Sequence, residues 1–229
     1  MKSPDHDEKY PFPHPSTADE EGVVAVGGEF NAGRLLAAYR QGIFPWSGDP
    51  LRWYSPTPRG IIWQVKLPRR LPKMIRKGGF RITFDRAFQQ VVQACSDSHR
   101  HEGEWITSDF VRAYTELHHE GYAHSVEVWN REGDLVGGLY GVHIAGLYAG
   151  ESMFYREPNA SKVAFAALVH HLKAIGVVLI DCQMVTEYTE RLGAVWVWRE
   201  DYLELLEQAL AQESRYSGEI WPADGCFAD

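Results

Sequence analysis

The sequence predicts an α+β protein in which a small N-terminal domain, residues 1–58, precedes a larger mixed-sheet domain, residues 59–229. Three observations carry that expectation. Strand-like segments follow one another as a meander between residues 80 and 154, and the order then changes to helix, strand, helix, strand. A Pro-punctuated aromatic stretch, Trp53-Tyr54-Ser55-Pro56-Thr57-Pro58, cannot continue a helix and marks a boundary. Gly42, Gly121 and Gly176 each stand where a periodic apolar segment stops.

Residues 1–20 are charged and Pro-rich and are expected to be poorly ordered. After the apolar, Gly-rich piece at 22–30, Asn31 can cap a helix running to Tyr39, and Ile43-Phe44-Pro45-Trp46 reads as an aromatic turn. Residues 60–65 read as a strand, the basic stretch after them as a short helix, 80–84 as a strand and 88–94 as a helix. Thr107-Ser108-Asp109 can cap a helix that ends by His119. Residues 124–129 alternate like a half-buried strand, and Asn130-Arg131-Glu132-Gly133-Asp134 turns them into a strand over 135–142. A strand over 147–154 follows. Asn159 or Ser161 opens an almost wholly apolar helix over 162–175, which should be buried on most sides. Strands at 177–181 and 194–198 and helices at 186–192 and 201–211 complete the chain.

Composition narrows the possible functions. No run approaches the ~20 apolar residues of a membrane span and no signal peptide is evident, so a cytoplasmic protein is expected, with no membrane partner. Three dispersed cysteines argue against a disulfide framework, and ten scattered histidines share no ligand spacing, so no metal is expected. The net charge of −8 speaks against general affinity for nucleic acid. Its distribution says otherwise: Lys66, Arg69, Arg70, Lys73, Arg76, Lys77, Arg81 and Arg86 crowd one segment against the single acid Asp85. Such an island is either localised contact with a polyanion or a solvated helix face.

The chemistry is expected around two motifs. Gly150-Glu151-Ser152-Met153-Phe154 and Leu179-Ile180-Asp181-Cys182-Gln183 set two carboxylates and an amide beside apolar strand residues, with a helix between them. Acids in apolar segments are costly to bury unless paired, hydrogen-bonded or working, so one shared polar pocket is predicted. The element order is similar to that of acyl-CoA acetyltransferase folds, which hold substrates where central strands splay. The usual pyrophosphate loop is absent; Arg156-Glu157-Pro158-Asn159-Ala160-Ser161-Lys162 stands in its place. Bound CoA is therefore disfavoured, and no cofactor is expected.

Seven motifs occur in order over roughly residues 20–210: Gly42-Ile43-Phe44-Pro45-Trp46, Trp53-Tyr54-Ser55-Pro56, Gly103-Glu104-Trp105-Ile106-Thr107, His124-Ser125-Val126-Glu127-Val128-Trp129, Asn159-Ala160-Ser161-Lys162 and the two just named. Together they resemble the leucyl/phenylalanyl-tRNA protein transferases. The resemblance implies a small N-terminal domain and an acetyltransferase-like (GNAT-like) C-terminal domain. It also implies transfer of Leu or Phe from aminoacyl-tRNA to proteins beginning with Arg or Lys, which in bacteria marks them for N-degron degradation. A monomer is expected.

Carried over residue by residue, the resemblance makes Asp181, Gln183 and Glu151 the catalytic candidates. Gln183 positions the incoming amine, and the proton leaves through Asp181, water or a ribose hydroxyl. Glu151 matches an acid near the 3′-aminoacyl-adenosine, and either acid could hold the acceptor's cation. Trp46 and Trp105 match aromatics that shape the adenosine site, although a buried core role competes for each. Tyr148, Gly150, Ser152, Leu168 and Leu172 complete the substrate-binding set. Tyr148 stands where the family has Phe, and Leu168 and Leu172 are aliphatic where aromatics are expected, which leaves the preference between Leu and Phe open. The resemblance assigns Lys66, Arg69, Arg70, Lys73, Arg76 and Lys77 to phosphates of the tRNA acceptor stem. Two alternatives remain: another acyltransferase of this fold, acting on acyl-CoA or cell-wall peptide, and a tRNA-binding module without catalysis.

Overall fold

The computed structural model describes residues 9–46, 50–67, 71, 79–99 and 107–212. Three short strands, β1 (Val23–Val26), β2 (Phe44–Trp46) and β3 (Arg52–Tyr54), pair antiparallel in the order β1-β3-β2. The aromatic turn expected at 43–46 is therefore largely strand. Pro45 is tolerated because β2 lies at the sheet edge, where its missing N–H interrupts no second ladder. Between β1 and β2 runs α1 (Ala32–Arg40), capped as expected by the Asn31 side chain on Arg34 N.

The remaining elements are β4 (Arg59–Ile62), β5 (Arg81–Phe84), α2 (Phe88–His99), α3 (Ser108–His119), β6 (Ala123–Trp129), β7 (Leu135–Ile144), β8 (Leu147–Tyr155), α4 (Ala160–Ile175), β9 (Leu179–Gln183), α5 (Glu187–Arg191), β10 (Ala194–Val197) and α6 (Arg199–Leu210). Their strands form one seven-stranded sheet, β10-β4-β9-β8-β7-β6-β5. It is mixed, as predicted: β8 and β9 are parallel and every other pair is antiparallel.

Alternate strand residues feed two faces. On one, Tyr140, Val142 and Ala149 pack with α2 and α3, and Ile61, Leu147 and Leu179 pack under Tyr202 and Leu206 of α6. On the other, Val126, Val128, Leu139 and Tyr148 meet Val163, Phe165 and Leu168 of α4. With both faces covered, β6 is buried along nearly its whole length rather than half-buried as its alternation suggests. Its Glu127 is fully buried, accepting from Thr83 and Ser125 hydroxyls and from Arg86 N and Ala87 N ahead of α2.

Several boundaries move for local reasons. Helix α2 continues past Ala94 because Ser98 Oγ donates to Ala94 O and Gln93 Nε2 to Asp97 Oδ1, occupying polar groups that read as loop. Asn159 has φ +76° and makes no side-chain cap, and α4 starts at Ala160. Residues 9–20, expected to fray, instead pack: Tyr10 is buried, and the Phe12 ring lies 4.9 Å from that of Trp53 beneath the Arg34 guanidinium. The N-terminal unit shares its core with the rest, Leu35, Leu36, Tyr39 and Trp53 joining Val91, Phe110 and Tyr114 in one cluster.

His143 on β7 and His171 on α4 are buried, and desolvation with the nearby His124 pushes both down to about 4. A histidine held below its ordinary value of 6.5 takes up its proton more readily when unfolded. The stability contributed by its neutral form is complete above about pH 6.5 and is lost as pH falls toward 4. The thermal midpoint is expected to drop across that interval, and a His143→Gln/His171→Gln variant to flatten the drop. A pH–melting series equally steep in parent and variant would clear these histidines.

Candidate active site

Where β8 and β9 part, the sheet opens. Their parallel pairing stops after Leu147↔Leu179, Tyr148↔Ile180 and Ala149↔Asp181. Beyond it each strand breaks its own regularity. Tyr140 pairs with Ser152 and Gly141 with Gly150, so Glu151 is an extra residue, a β-bulge that re-aims its side chain. On β9, Gln183 has φ +56°, a left-handed conformation uncommon outside glycine, and Met184 N donates to Cys182 O at 2.5 Å. That three-residue bond closes a γ-turn of the rarer, strained hand. Non-glycine residues are held so mainly where the surroundings over-determine them, often at working sites.

The surroundings here are Asp181, Arg59 and Gly60. Arg59 and Asp181 are each 1% exposed and form a bidentate pair, Nε to Oδ1 at 3.0 Å and Nη2 to Oδ2 at 2.6 Å. Tyr202 Oη donates to Asp181 Oδ2 at 2.8 Å, and Gln183 N donates to Oδ1 at 2.9 Å. Four donors thus fill the carboxylate's acceptor sites. Asp181 holds the main chain of Gln183 and makes no bond to its side-chain amide. The guanidinium also donates to Gly42 O at 3.0 Å and lies over the rings of Phe44 and Tyr202. Gly60 pairs with Gln183, and a Cβ on it would stand 2.7 Å from the Met184 carbonyl carbon.

The second acid lives differently. Glu151 Oε1 accepts from Gln183 Nε2 at 3.2 Å, and Oε2 accepts from Tyr114 Oη at 2.9 Å, itself 2.5 Å from Tyr39 Oη. Burial raises the Glu151 carboxyl to about 7; the tyrosine hydroxyls oppose the rise, Asp181 adds to it, and Arg59 opposes it. Burial and the Glu151 charge hold the Tyr39 and Tyr114 hydroxyls well above their usual range, so both remain protonated donors.

These groups edge a cavity of about 410 Å³ between the splayed strands, α4 and α5. Of the candidates named from sequence, Trp46, Tyr148, Gly150, Glu151, Ser152, Leu168, Asp181 and Gln183 line it. Leu172 does not; it is buried in the core one turn further along α4. A Cβ on Gly150 would meet only ordinary contacts at 3.8 Å, so the open space there belongs to the cavity. The Tyr148 hydroxyl lies over Gly141, where an added Cβ would stand 2.5 Å away. Lys66 is exposed beyond β4. Trp105, Arg69, Arg70, Lys73, Arg76 and Lys77 lie outside the described residues.

Sequence reasoning missed Arg59, Tyr39, Tyr114 and Tyr202, the groups that hold the two acids. The signal for Arg59 was its place straight after Pro58 at the start of an apolar strand. Removing one member of a buried ion pair strands the other and costs about 3–5 kcal/mol. Urea unfolding should show a loss of that order for Arg59→Met, and less than the sum of the single losses when Asp181→Leu is added. Strict additivity would mean that the two side chains are not coupled.

A family model described as leucyl/phenylalanyl-tRNA protein transferase matches residues 61–207, and one described as that family's N-terminal domain matches residues 28–57. The leucyl/phenylalanyl-tRNA–protein transferase of Magnetococcus marinus is 52% identical over 209 residues, covering 88% of this chain and 89% of its own. That of Syntrophotalea carbinolica is 50% identical over 204 residues, covering 86% and 88%. That of Pseudomonas fluorescens is 47% identical over 199 residues, covering 85% and 88%. With the same two-part match and this identity across nearly its whole length, the chain belongs to the leucyl/phenylalanyl-tRNA protein transferase family.

Proposed function

We propose that the cavity transfers Leu or Phe from an aminoacyl-tRNA to the α-amino group of a protein beginning with Arg or Lys, marking it for N-degron degradation. The observation that carries this reading is an apolar cavity edged by a carboxyl that titrates near neutrality and by an amide fixed beside it. Leu139, Phe165, Leu168 and Ile180 offer the apolar wall a Leu or Phe side chain needs. Trp46, 39% exposed beside Phe44 and Tyr54, offers an aromatic surface for the terminal adenine. Lys66 and the basic segment that follows would meet acceptor-stem phosphates.

The reaction needs a neutral amine to attack the ester carbonyl; a C–N bond forms, the C–O bond to the ribose breaks, and the ribose oxygen gains a proton. Glu151 suits the removal of the ammonium proton, because a base titrating near 7 is well matched to an α-amino group of about 8. Tyr114, backed by Tyr39, orients it, and Gln183 positions the amine alongside. Asp181 holds Gln183 in place and stays out of the proton's path, since its acceptor sites are filled.

Incubation with labelled Phe-tRNA and an Arg-initiated test protein should move label into the protein. Label that stays on tRNA would defeat the proposal. Because burial raises the Glu151 carboxyl, its base form appears only as pH rises through about 7, and kcat should climb over that interval. Glu151→Gln is expected to lose about 10²–10⁴-fold in kcat and this limb of the profile, keeping only the limb from the acceptor amine near 8. A variant that retains both limbs would exclude Glu151 as the base.

A further inference from the structure

The far edge of the large sheet carries aromatic surface that the proposed transfer has not used. β10 is its last strand, and among the described residues only β4 pairs with it. Edge strands are commonly blunted by charge, proline or a bulge. Ala194-Val195-Trp196-Val197 has no charge and no proline, and its register with β4 is unbroken. Trp196 is 45% exposed and Trp198 66%. Exposed apolar patches of this kind mark interaction surfaces, and Trp is prominent among the residues that dominate binding.

The patch is in register with the active site. Trp196 pairs with Gly60, and Gly60 pairs with Gln183, so the three form one row across the sheet. Trp196 also shares the cavity's face of the sheet: Ala194, two residues earlier, pairs with Ile62, and Ile62 lines the cavity. The Met184 main chain crosses above Gly60, and Met184 is 37% exposed and lines the cavity, so it stands between the cavity and Trp196. Two strand spacings separate Gln183 from Trp196, about 10 Å, a distance an extended chain covers in about three residues.

The rim toward α5 and α6 is acidic: Glu190, Glu200 and Asp201 are exposed, and Glu187 and Arg191 pair with each other. Arg199 is buried, donating to Ser55 O at 2.8 Å, while the exposed Lys66 stands at the opposite end of β10, its N donating to Leu192 O. Such a rim repels RNA phosphates and favours a peptide whose first residue is cationic.

We infer that Met184, Trp196 and Trp198 form an acceptor subsite for apolar side chains at the third and fourth residues of an acceptor protein's extended N-terminal segment. This inference rests on the transfer reading above, with the acceptor amine at Gln183 and Glu151.

Two Arg-initiated peptides of equal length, with Leu or Gly at both positions, test it in steady-state assays with Phe-tRNA. The Leu peptide is expected to show a KM about tenfold lower, and Trp196→Ala with Trp198→Ala to erase the difference while KM for Phe-tRNA stays put. Both tryptophans are exposed, so the variant should melt with the parent. Equal KM values for the two peptides with the parent protein would overturn the subsite and leave transfer intact. A variant that raises KM only for Phe-tRNA would assign the surface to RNA and overturn it as well. Label entering neither peptide would sink the transfer reading, and the subsite with it.

Discussion

A guanidinium and a carboxylate, both almost wholly shielded from water, hold this molecule's working parts in register. Burying two charges is expensive, and attraction alone repays it only when the geometry is good and the remaining hydrogen-bonding sites are filled. The Arg59–Asp181 pair meets both conditions through Gly42 O, Tyr202 Oη and Gln183 N. It draws together the segment after α1, the middle of the sheet and α6. Phe44, stacked under the guanidinium, is also a wall of the cavity, so the same ion pair fixes the wall and the turn facing it.

The two acids show how environment divides one functional group into two roles. Asp181 is saturated with donors and anchored, while Glu151 has fewer partners and sits beside open space. At Glu151 desolvation outweighs the opposing tyrosine hydroxyls and Arg59, and its proton affinity rises to suit neutral pH. The bulge at Glu151 and the left-handed turn at Gln183 are the backbone counterparts of that division, each tilting one side chain out of the regular pleat.

Much of this was legible in the sequence, and the failures share a cause. The Asn31 and Thr107 caps, the Gly176 stop and the buried α4 follow from local spacing, and the structure has all of them. That Glu151, Asp181 and Gln183 border one pocket followed from apolar flanks around lone polar residues, whereas the bond from the Gln183 amide to Glu151 did not. What spacing could not reveal was non-local: which cation neutralises Asp181, which hydroxyls reach Glu151, and that both faces of β6 would be covered. The irregular backbone was equally hidden, because neither Glu151 nor Gln183 is a residue type that announces a bulge or positive φ. Leu172 came with Leu168 from the family resemblance, and a shared helix face does not say whether core or cavity lies beyond each residue.

The 122 residues that separate Arg59 from Asp181 bear on how the protein is made. During synthesis the arginine is already in the chain long before its counter-ion, and Tyr202 follows later still. Domains tend to fold as units as they emerge from the ribosome. Here β4, whose strand partners are β9 and β10, must wait, with a charge that cannot yet be buried, for the last third of the chain. An incomplete chain therefore has no reason to close the cavity around Gln183. The ion pair acts as a completion check, tying assembly of the site to the arrival of β9 and α6.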